Sequence, residues 1–143
     1  MALISFVDLP EQKLILYNVH LESRADDDLR CGQLLELLDD ACQHAPDVQV
    51  VVAGDFNSDL RQEPFVSIIG NAGLSNPFAH RSKLPTTVSS RFHSSCTIDW
   101  ILTKGPLSAS EPKLHDLIRA SDHYPLSFIL SDRLLDTRRR NKT

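Results

Sequence analysis

The amino-acid sequence predicts a single mixed α/β domain whose sheet is at least partly antiparallel. Three observations support this fold class: alternating apolar residues near the N-terminus, apolar residues at helical spacing after them, and a continuous apolar run at residues 49–53. The length of 143 residues, with 41% hydrophobic and 24% charged residues, is typical of one ordinary globular domain.

The first predicted elements are a β-hairpin and a helix. Residues 2–7 and 14–21 alternate in polarity on either side of a turn-like segment. A helix is expected from Asp28 to His44, because an Asp cluster precedes it, Pro46 follows it, and apolar residues recur at helical spacing. The recurring residues are Leu34, Leu38, Ala41 and Ala45.

The middle of the chain predicts a buried strand, a short helix and a loop. Residues 49–53 read as a central strand covered on both faces. A second helix is expected after Pro64 and ends near Gly70 or Gly73. Residues 74–96 show no period, which favours a surface loop and a candidate rim for substrate.

Three further strands are expected at residues 96–104, 113–120 and 124–131. Residues 132–143 form a polar basic tail, so the domain is predicted to cover residues 1–131.

Charge and cysteine content limit the function classes. A net charge of −4 argues against binding of nucleic acid by bulk positive charge. Cys31, Cys42 and Cys96 lie in no metal-type pair spacing and predict free thiols in a reduced compartment. With no secretion signal and no apolar stretch of membrane length, the expected location is the cytoplasm.

Two segments carry polar side chains at strand ends. In NVHLES, His20 sits where an apolar strand leaves the sheet, and this segment taken alone favours a partly buried structural histidine over a functional one. In GDFNSD, continued strand geometry would place Asp55 and Asn57 on one face and Phe56 on the other. Their oxygens suit Mg²⁺, whereas the alternative is a turn in which both side chains bond their own backbone.

Two later segments add an acid and an imidazole. Asp99 lies alone among apolar residues in TIDWILTKG, and a buried carboxylate needs a partner. SDHYPL offers His123 beside Asp122, and Asp99 could fix the tautomer of that ring. A simple cap or turn is the alternative for the Asp-His pair. Together the four segments hold metal ligands, an Asp-His dyad and a second histidine, which describes metal-assisted hydrolysis of a phosphate ester.

NVHLES, VVVAGDFNSD, TIDWILTKG and SDHYPL, in this order, resemble the endonuclease/exonuclease/phosphatase (DNase I-like) superfamily. The resemblance implies a phosphate-ester substrate and in-line attack by a water organised by Mg²⁺, with Mn²⁺ as an alternative. It assigns metal contacts to four residues. It also implies that Asp99 orients His123. His20 would supply a proton or a phosphate contact, with Asn18 supporting it. The four residues are Asp55, Asn57, Asp122 and His123.

The family fold is a four-layer α/β sandwich with two mixed or antiparallel sheets, and this sequence resembles its C-terminal half. An early Asn and a metal-binding Glu of the family have no counterpart here. A fragment of a longer protein, a half that assembles with another chain or itself, and an inactive remnant or interaction domain therefore remain open. Alone, the chain is expected to expose a sheet face that the other half of the family domain covers.

The substrate class is open among nucleases, phosphatases and lipid phosphodiesterases of the family. Arg81 and Arg91 lie in the expected rim loop, where they could contact phosphate or stand in solvent. Phe78 and Phe92 are the aromatic residues of that loop that could stack on a base.

Overall fold

The structure is a computed structural model that describes residues 1–81, 83–88 and 95–132. Arg91, Phe92 and nearly all of the predicted tail lie outside these ranges. The regular elements of the described ranges, in chain order, are β1 Ala2–Asp8, β2 Lys13–His20, α1 Asp27–Cys42, β3 Gln49–Asp55, α2 Phe65–Asn71, β4 Asp99–Lys104, β5 Leu107–Leu114 and β6 Leu126–Asp132.

The predicted hairpin and first helix are present. β1 and β2 pair antiparallel, from Ala2 opposite Val19 to Asp8 opposite Lys13. Asp26 caps α1, since its side chain accepts a hydrogen bond of 2.9 Å from the Leu29 N–H, and two acidic residues follow in the first turn. The helix ends at Cys42, two residues before the predicted end.

The main sheet has the order β1-β2-β3-β4. β3 runs parallel to β2 and antiparallel to β4, so it is a central strand as its apolar run predicts. Val50, Val51 and Val52 are buried. The mixed α/β fold class with two sheets is therefore confirmed.

The two faces of the main sheet have different cover. The α1 residues Leu34, Leu38 and Ala41 are buried in one core with the β2 residues Tyr17 and Val19. β5 and β6 form a separate antiparallel pair. Leu126, Phe128 and Leu130 of that pair pack against the core, and β6 contacts β4. The four-layer arrangement stays an expectation.

The strand predicted at residues 113–120 is wrong in its bounds. β5 covers Leu107–Leu114, and the chain then turns, with the Ile118 N–H bonded to the His115 carbonyl. The Ser and Pro content of residues 107–112 is not typical of a strand, so the sequence did not indicate this one. Pairing with β6 stabilises it despite an irregular register between Ser110 and Lys113.

The loop predicted at residues 74–96 is also only partly a surface loop. Ser75 pairs with Thr103 of β4, and several described side chains are buried. Phe78 is wholly buried, so stacking of this ring on a base is excluded in this structure. The other buried residues of the segment are Leu74, Leu84, Thr86 and Thr87.

Neither helix of the described residues has the length and apolar character needed to cross a lipid bilayer.

Candidate functional site

Three strands bring their polar residues to one edge of the main sheet. The parallel register of β2 and β3 places His20 beside Asp55. The antiparallel register of β3 and β4 places Asp99 beside Asp55 on the other side. His20, Asp55 and Asp99 therefore lie in one row across three neighbouring strands.

The strands approach closely at this edge because residue 54 is glycine. Gly54 has φ +141°, and a Cβ built on it would lie 2.0 Å from the Val19 carbonyl oxygen. A side chain at this position would push β2 and β3 apart. The glycine thus lets His20 and Asp55 stand on adjacent strands.

His20 and Asp55 form an open contact. Nε2 of His20 lies 3.8 Å from Oδ2 of Asp55, and the His20 side chain is 64% exposed. His20 is therefore not the partly buried structural histidine of the alternative interpretation. Its ring is open to a molecule from solvent.

Asp99 and His123 are in hydrogen-bond contact. Nδ1 of His123 lies 3.0 and 2.9 Å from the two carboxylate oxygens of Asp99. This contact orients the ring, and an ionised Asp99 favours the tautomer with the proton on Nδ1. His123, which lies in the segment before β6, is thereby placed beside the row of polar residues on the main sheet.

The environment of Asp99 raises its pKa above the ordinary value. Burial is the main cause, and the Asp55 carboxylate adds to it, while Thr86 and His123 lower the pKa in part. Two carboxylates next to each other at a half-buried edge favour a positive group between them.

A cation fits this donor set. Ligand atoms of Asp55, Asp99 and His123 all lie within 4.8 Å of one another. Carboxylate oxygens and an imidazole nitrogen are suitable ligands for Mg²⁺ or Mn²⁺, although Mg²⁺ prefers oxygen. The cluster among the described residues does not include Asp122, and Asn57 lies beside it.

Asn57 reaches the site by a turn and not by continued strand geometry. β3 ends at Asp55, and Asn57 has φ 52°, which is left-handed. The Asn57 N–H donates to Oδ1 of Asp55 at 2.8 Å, and its Nδ2 donates to the Leu21 carbonyl at 3.1 Å. The strand-face prediction was wrong, and the turn alternative describes the backbone here. Phe56 is buried, as expected.

The remaining candidate residues have different surroundings. Asn18 lines a cleft of about 270 Å³ together with Asp99 and Tyr124. The carbonyl of Asp122 accepts from the Val88 N–H at 2.9 Å. The Arg81 guanidinium donates to the Pro112 carbonyl at 2.5 Å, which holds it against β5.

Sequence reasoning missed Thr86. Its buried hydroxyl accepts from the N–H groups of Ile98 and Asp99 at 3.0 and 3.1 Å, and its carbonyl accepts from the Tyr124 N–H at 2.7 Å. Thr86 thus connects the start of β4 with the segment that carries His123. A hydroxyl in an aperiodic segment gives no sequence signal of this contact.

The sequence also gave no sign of how the turn after β3 is held. The indole Nε1–H of buried Trp100 donates to the Ser58 carbonyl at 2.9 Å. The Arg61 guanidinium lies 5.4 Å from the centroid of the Trp100 ring and pairs with Asp59 at 2.6 Å. The turn that follows Asp55 and Asn57 is therefore fastened to β4.

The model of the Endonuclease/Exonuclease/phosphatase family matches residues 4–123. The chain belongs to this family. Membership supports a function of the phosphoesterase or nuclease type, and the candidate site residues of the four segments fall within the matched range. No curated protein matches the chain.

Solved structures of this family's fold are similar to the chain. A humanized TDP2 of D. rerio has a TM-score of 0.72 at 22% identity, covering 91% of this chain and 60% of that one. A mannosyl-6-phosphatase of Bacteroides thetaiotaomicron has a TM-score of 0.60 at 15% identity, covering 84% and 52%. A beta toxin of Staphylococcus aureus has 0.62 at 16%, covering 90% and 56%. The chain thus spans only about half to three fifths of their length.

Proposed function

We propose that this chain carries the water-activating and phosphate-binding side of a metal-dependent phosphoesterase. The observation that supports this most is the cluster of Asp55, Asp99 and His123 within 4.8 Å at an open edge of the sheet. His20 stands next to it in solvent. Carboxylates, an oriented imidazole and a second histidine form a set suited to hydrolysis of a phosphate ester.

The proposed cation is Mg²⁺, with Mn²⁺ as the alternative. Asp55, Asn57, Asp122 and His123 are the proposed ligands from the sequence motifs, and the carboxylate of Asp99 is a fifth donor nearby. When bound, the cation would offset negative charge on the phosphate and lower the pKa of a bound water.

The chain's own residues have separate proposed roles. Asp99 holds His123 by Nδ1, so Nε2 faces away from the carboxylate and is the nitrogen left to bind the cation or to contact a phosphate oxygen. His20, which is open to solvent, gives a proton to the leaving oxygen or contacts the phosphate. Asn57 keeps Asp55 and the end of β2 together through its two hydrogen bonds.

The proposed substrate is a phosphate ester, with nucleic acid as one candidate class. A structure of D. rerio TDP2 with a single-strand DNA product, similar to this chain at 22% identity, supports including this class. Asn18 in the cleft beside Asp99 is a proposed substrate contact, and so are Arg81 and Arg91. The bond from Arg81 to Pro112 would have to open for that contact.

Hydrolysis of bis-p-nitrophenyl phosphate and p-nitrophenyl phosphate tests the proposal. We expect turnover by the purified chain with Mg²⁺ or Mn²⁺, loss of it with a chelator, and a fall of about 100-fold or more in Asp55→Asn. Asp39→Asn makes the same substitution at an exposed position of α1, and it should leave the rate unchanged.

The alternative is an inactive fragment or an interaction domain. It predicts a folded chain without metal-dependent turnover and without an Asp55-dependent site for Mn²⁺ in calorimetry. Tight Mn²⁺ binding that Asp55→Asn abolishes would support the proposed metal site, even if turnover requires further residues. Equal turnover in wild type and Asp55→Asn would refute the assigned role of Asp55.

A further inference from the structure

Arg30 is a buried cation outside the cluster that no motif singled out. It lies in the first turn of α1, and its side chain is only 10% exposed. Its guanidinium donates to the Glu22 carbonyl and to Asp27 Oδ1, both at 2.8 Å, and also to the Arg24 carbonyl. A fourth contact, at 3.3 Å, reaches the hydroxyl of Ser58. The planar fork of one arginine thus joins α1 to the chain after β2 and to the turn after β3.

Gln33, one helical turn further along, completes the contact with Glu22. Its Oε1 accepts from the Glu22 N–H at 2.9 Å, while Arg30 Nε donates to the carbonyl of the same residue. Both backbone polar groups of Glu22 are therefore held by side chains of α1 at i and i+3 spacing. We call Arg30 and Gln33 the helix clamp.

The helix clamp holds a segment that is bonded directly to the candidate site. Between His20 and Glu22 lies Leu21, whose N–H donates to the Asp55 carbonyl at 3.0 Å. The Leu21 carbonyl accepts from Asn57 Nδ2 at 3.1 Å. The residue next to the clamped Glu22 therefore makes the contacts to Asp55 and Asn57, and it follows His20 directly.

The Ser58 contact holds the same region from the other side. Ser58 follows Asn57 directly, and its hydroxyl lies 3.3 Å from both Arg30 Nη1 and Asp27 Oδ1. Its carbonyl accepts from the Trp100 indole. Arg30 therefore borders the two chain segments that carry His20 and Asn57.

We propose that Arg30 is a positioning residue for the phosphoesterase site, acting through the Glu22 and Ser58 backbone segments on His20 and Asn57. The predicted effect of Arg30 on turnover rests on the proposed function, whereas its predicted effect on the position of His20 and Asn57 does not. Arg30 touches no cluster atom, so it is not a catalytic residue. A lysine keeps the charge but lacks the fork that reaches these separate acceptors at once.

Amide exchange measured by NMR on the whole chain tests the positioning directly. We expect Arg30→Lys to raise the exchange rate of the Leu21 amide about tenfold, and to shift the Asn57 side-chain amide signals. The Val52 amide in the centre of β3 should change less than about threefold, because the substitution acts locally.

Arg24→Met is the matched control. Arg24 lies in the connection between β2 and α1, and its side chain is 89% exposed, so loss of this charge should leave Leu21 exchange at the wild-type rate. Equal Leu21 exchange in wild type and Arg30→Lys would overturn the inference. So would a rise at Leu21 that Val52 matches, since that reports general destabilisation.

Turnover separates this inference from the proposed function. If wild type hydrolyses the p-nitrophenyl substrates, Arg30→Lys should lower kcat about tenfold while KM changes less than about twofold. Unchanged kcat would contradict the catalytic consequence. If wild type shows no turnover, the proposed function fails for this chain, and the exchange rates still decide the positioning by Arg30.

Discussion

At the scale of single residues, Thr86 matters as much to the site as the residues of the motifs. The N–H groups of Ile98 and Asp99 are satisfied by its hydroxyl, in a place where the residue is wholly buried. Buried N–H groups without partners are costly. The hydroxyl therefore stabilises the start of β4, where Asp99 leaves the turn and meets His123.

Thr86→Val should destabilise the protein more than Thr86→Ser does. Valine keeps the volume but leaves two buried N–H groups without an acceptor, at a cost of about 2 kcal/mol, whereas serine keeps the hydroxyl and loses one methyl, at about 1 kcal/mol. Urea unfolding of the three proteins measures this order. A serine variant less stable than the valine variant would mean that packing of the methyl dominates.

At the scale of elements, α1 is fastened to β2 by a polar contact within the core. The Tyr17 hydroxyl donates to Asp40 Oδ2 at 2.5 Å, and its oxygen lies 2.9 Å from His44 Nε2. Burial is the main cause that raises the pKa of Tyr17 well above its ordinary value, and the hydrogen bond and charge of Asp40 add to it. The neutral hydroxyl is thus part of how helix and sheet dock.

This pKa shift predicts a loss of stability in alkali. An unfolded tyrosine ionises near pH 10, while folded Tyr17 keeps its proton, so above about pH 10 the unfolded state is favoured and the Tyr17 contribution falls. Below that pH the contribution is fully present. Urea unfolding between pH 8 and 11 should show the stability difference between wild type and Tyr17→Phe shrinking above pH 10. Parallel curves would contradict the shift.

At the scale of the whole molecule, the main sheet has an uncovered region at β1. Leu3 and Val7 are 64% and 38% exposed, and their partners on β2, Asn18 and Leu14, lie on the same face. β1 is also an edge strand with no charged residue before Asp8. Exposed apolar edge strands tend to pair with other chains.

We therefore expect the purified chain to self-associate through this region unless other residues of the family domain cover it. Light scattering over a range of concentrations should show a rising mass, and Leu3→Lys with Val7→Lys should reduce it. Leu35→Lys, on an exposed position of α1, is the matched control and should not. A clean monomer at all concentrations would exclude self-association as the way in which this face is covered.

The sequence by itself determined the elements whose information is local. The alternation of residues 2–7, the Asp cap of α1 and the apolar run of β3 each reflect a period or a cap that neighbouring residues carry. It also determined the family and the residues His20, Asp55, Asp99 and His123, since these stand in recognisable motifs. Their proposed roles remain predictions.

Only the tertiary structure decided the features that depend on residues far apart in the chain. Pairing with β6 moved β5 to Leu107–Leu114, a buried hydroxyl at Thr86 joined Asp99 to the His123 segment, and Arg30 met acceptors on two other segments. Asn57 reached Asp55 by a left-handed turn and not along a strand. Such contacts form because buried hydrogen-bond donors and acceptors need partners, and the fold supplies those partners from distant parts of the chain. A local sequence pattern does not indicate which distant residue the partner is.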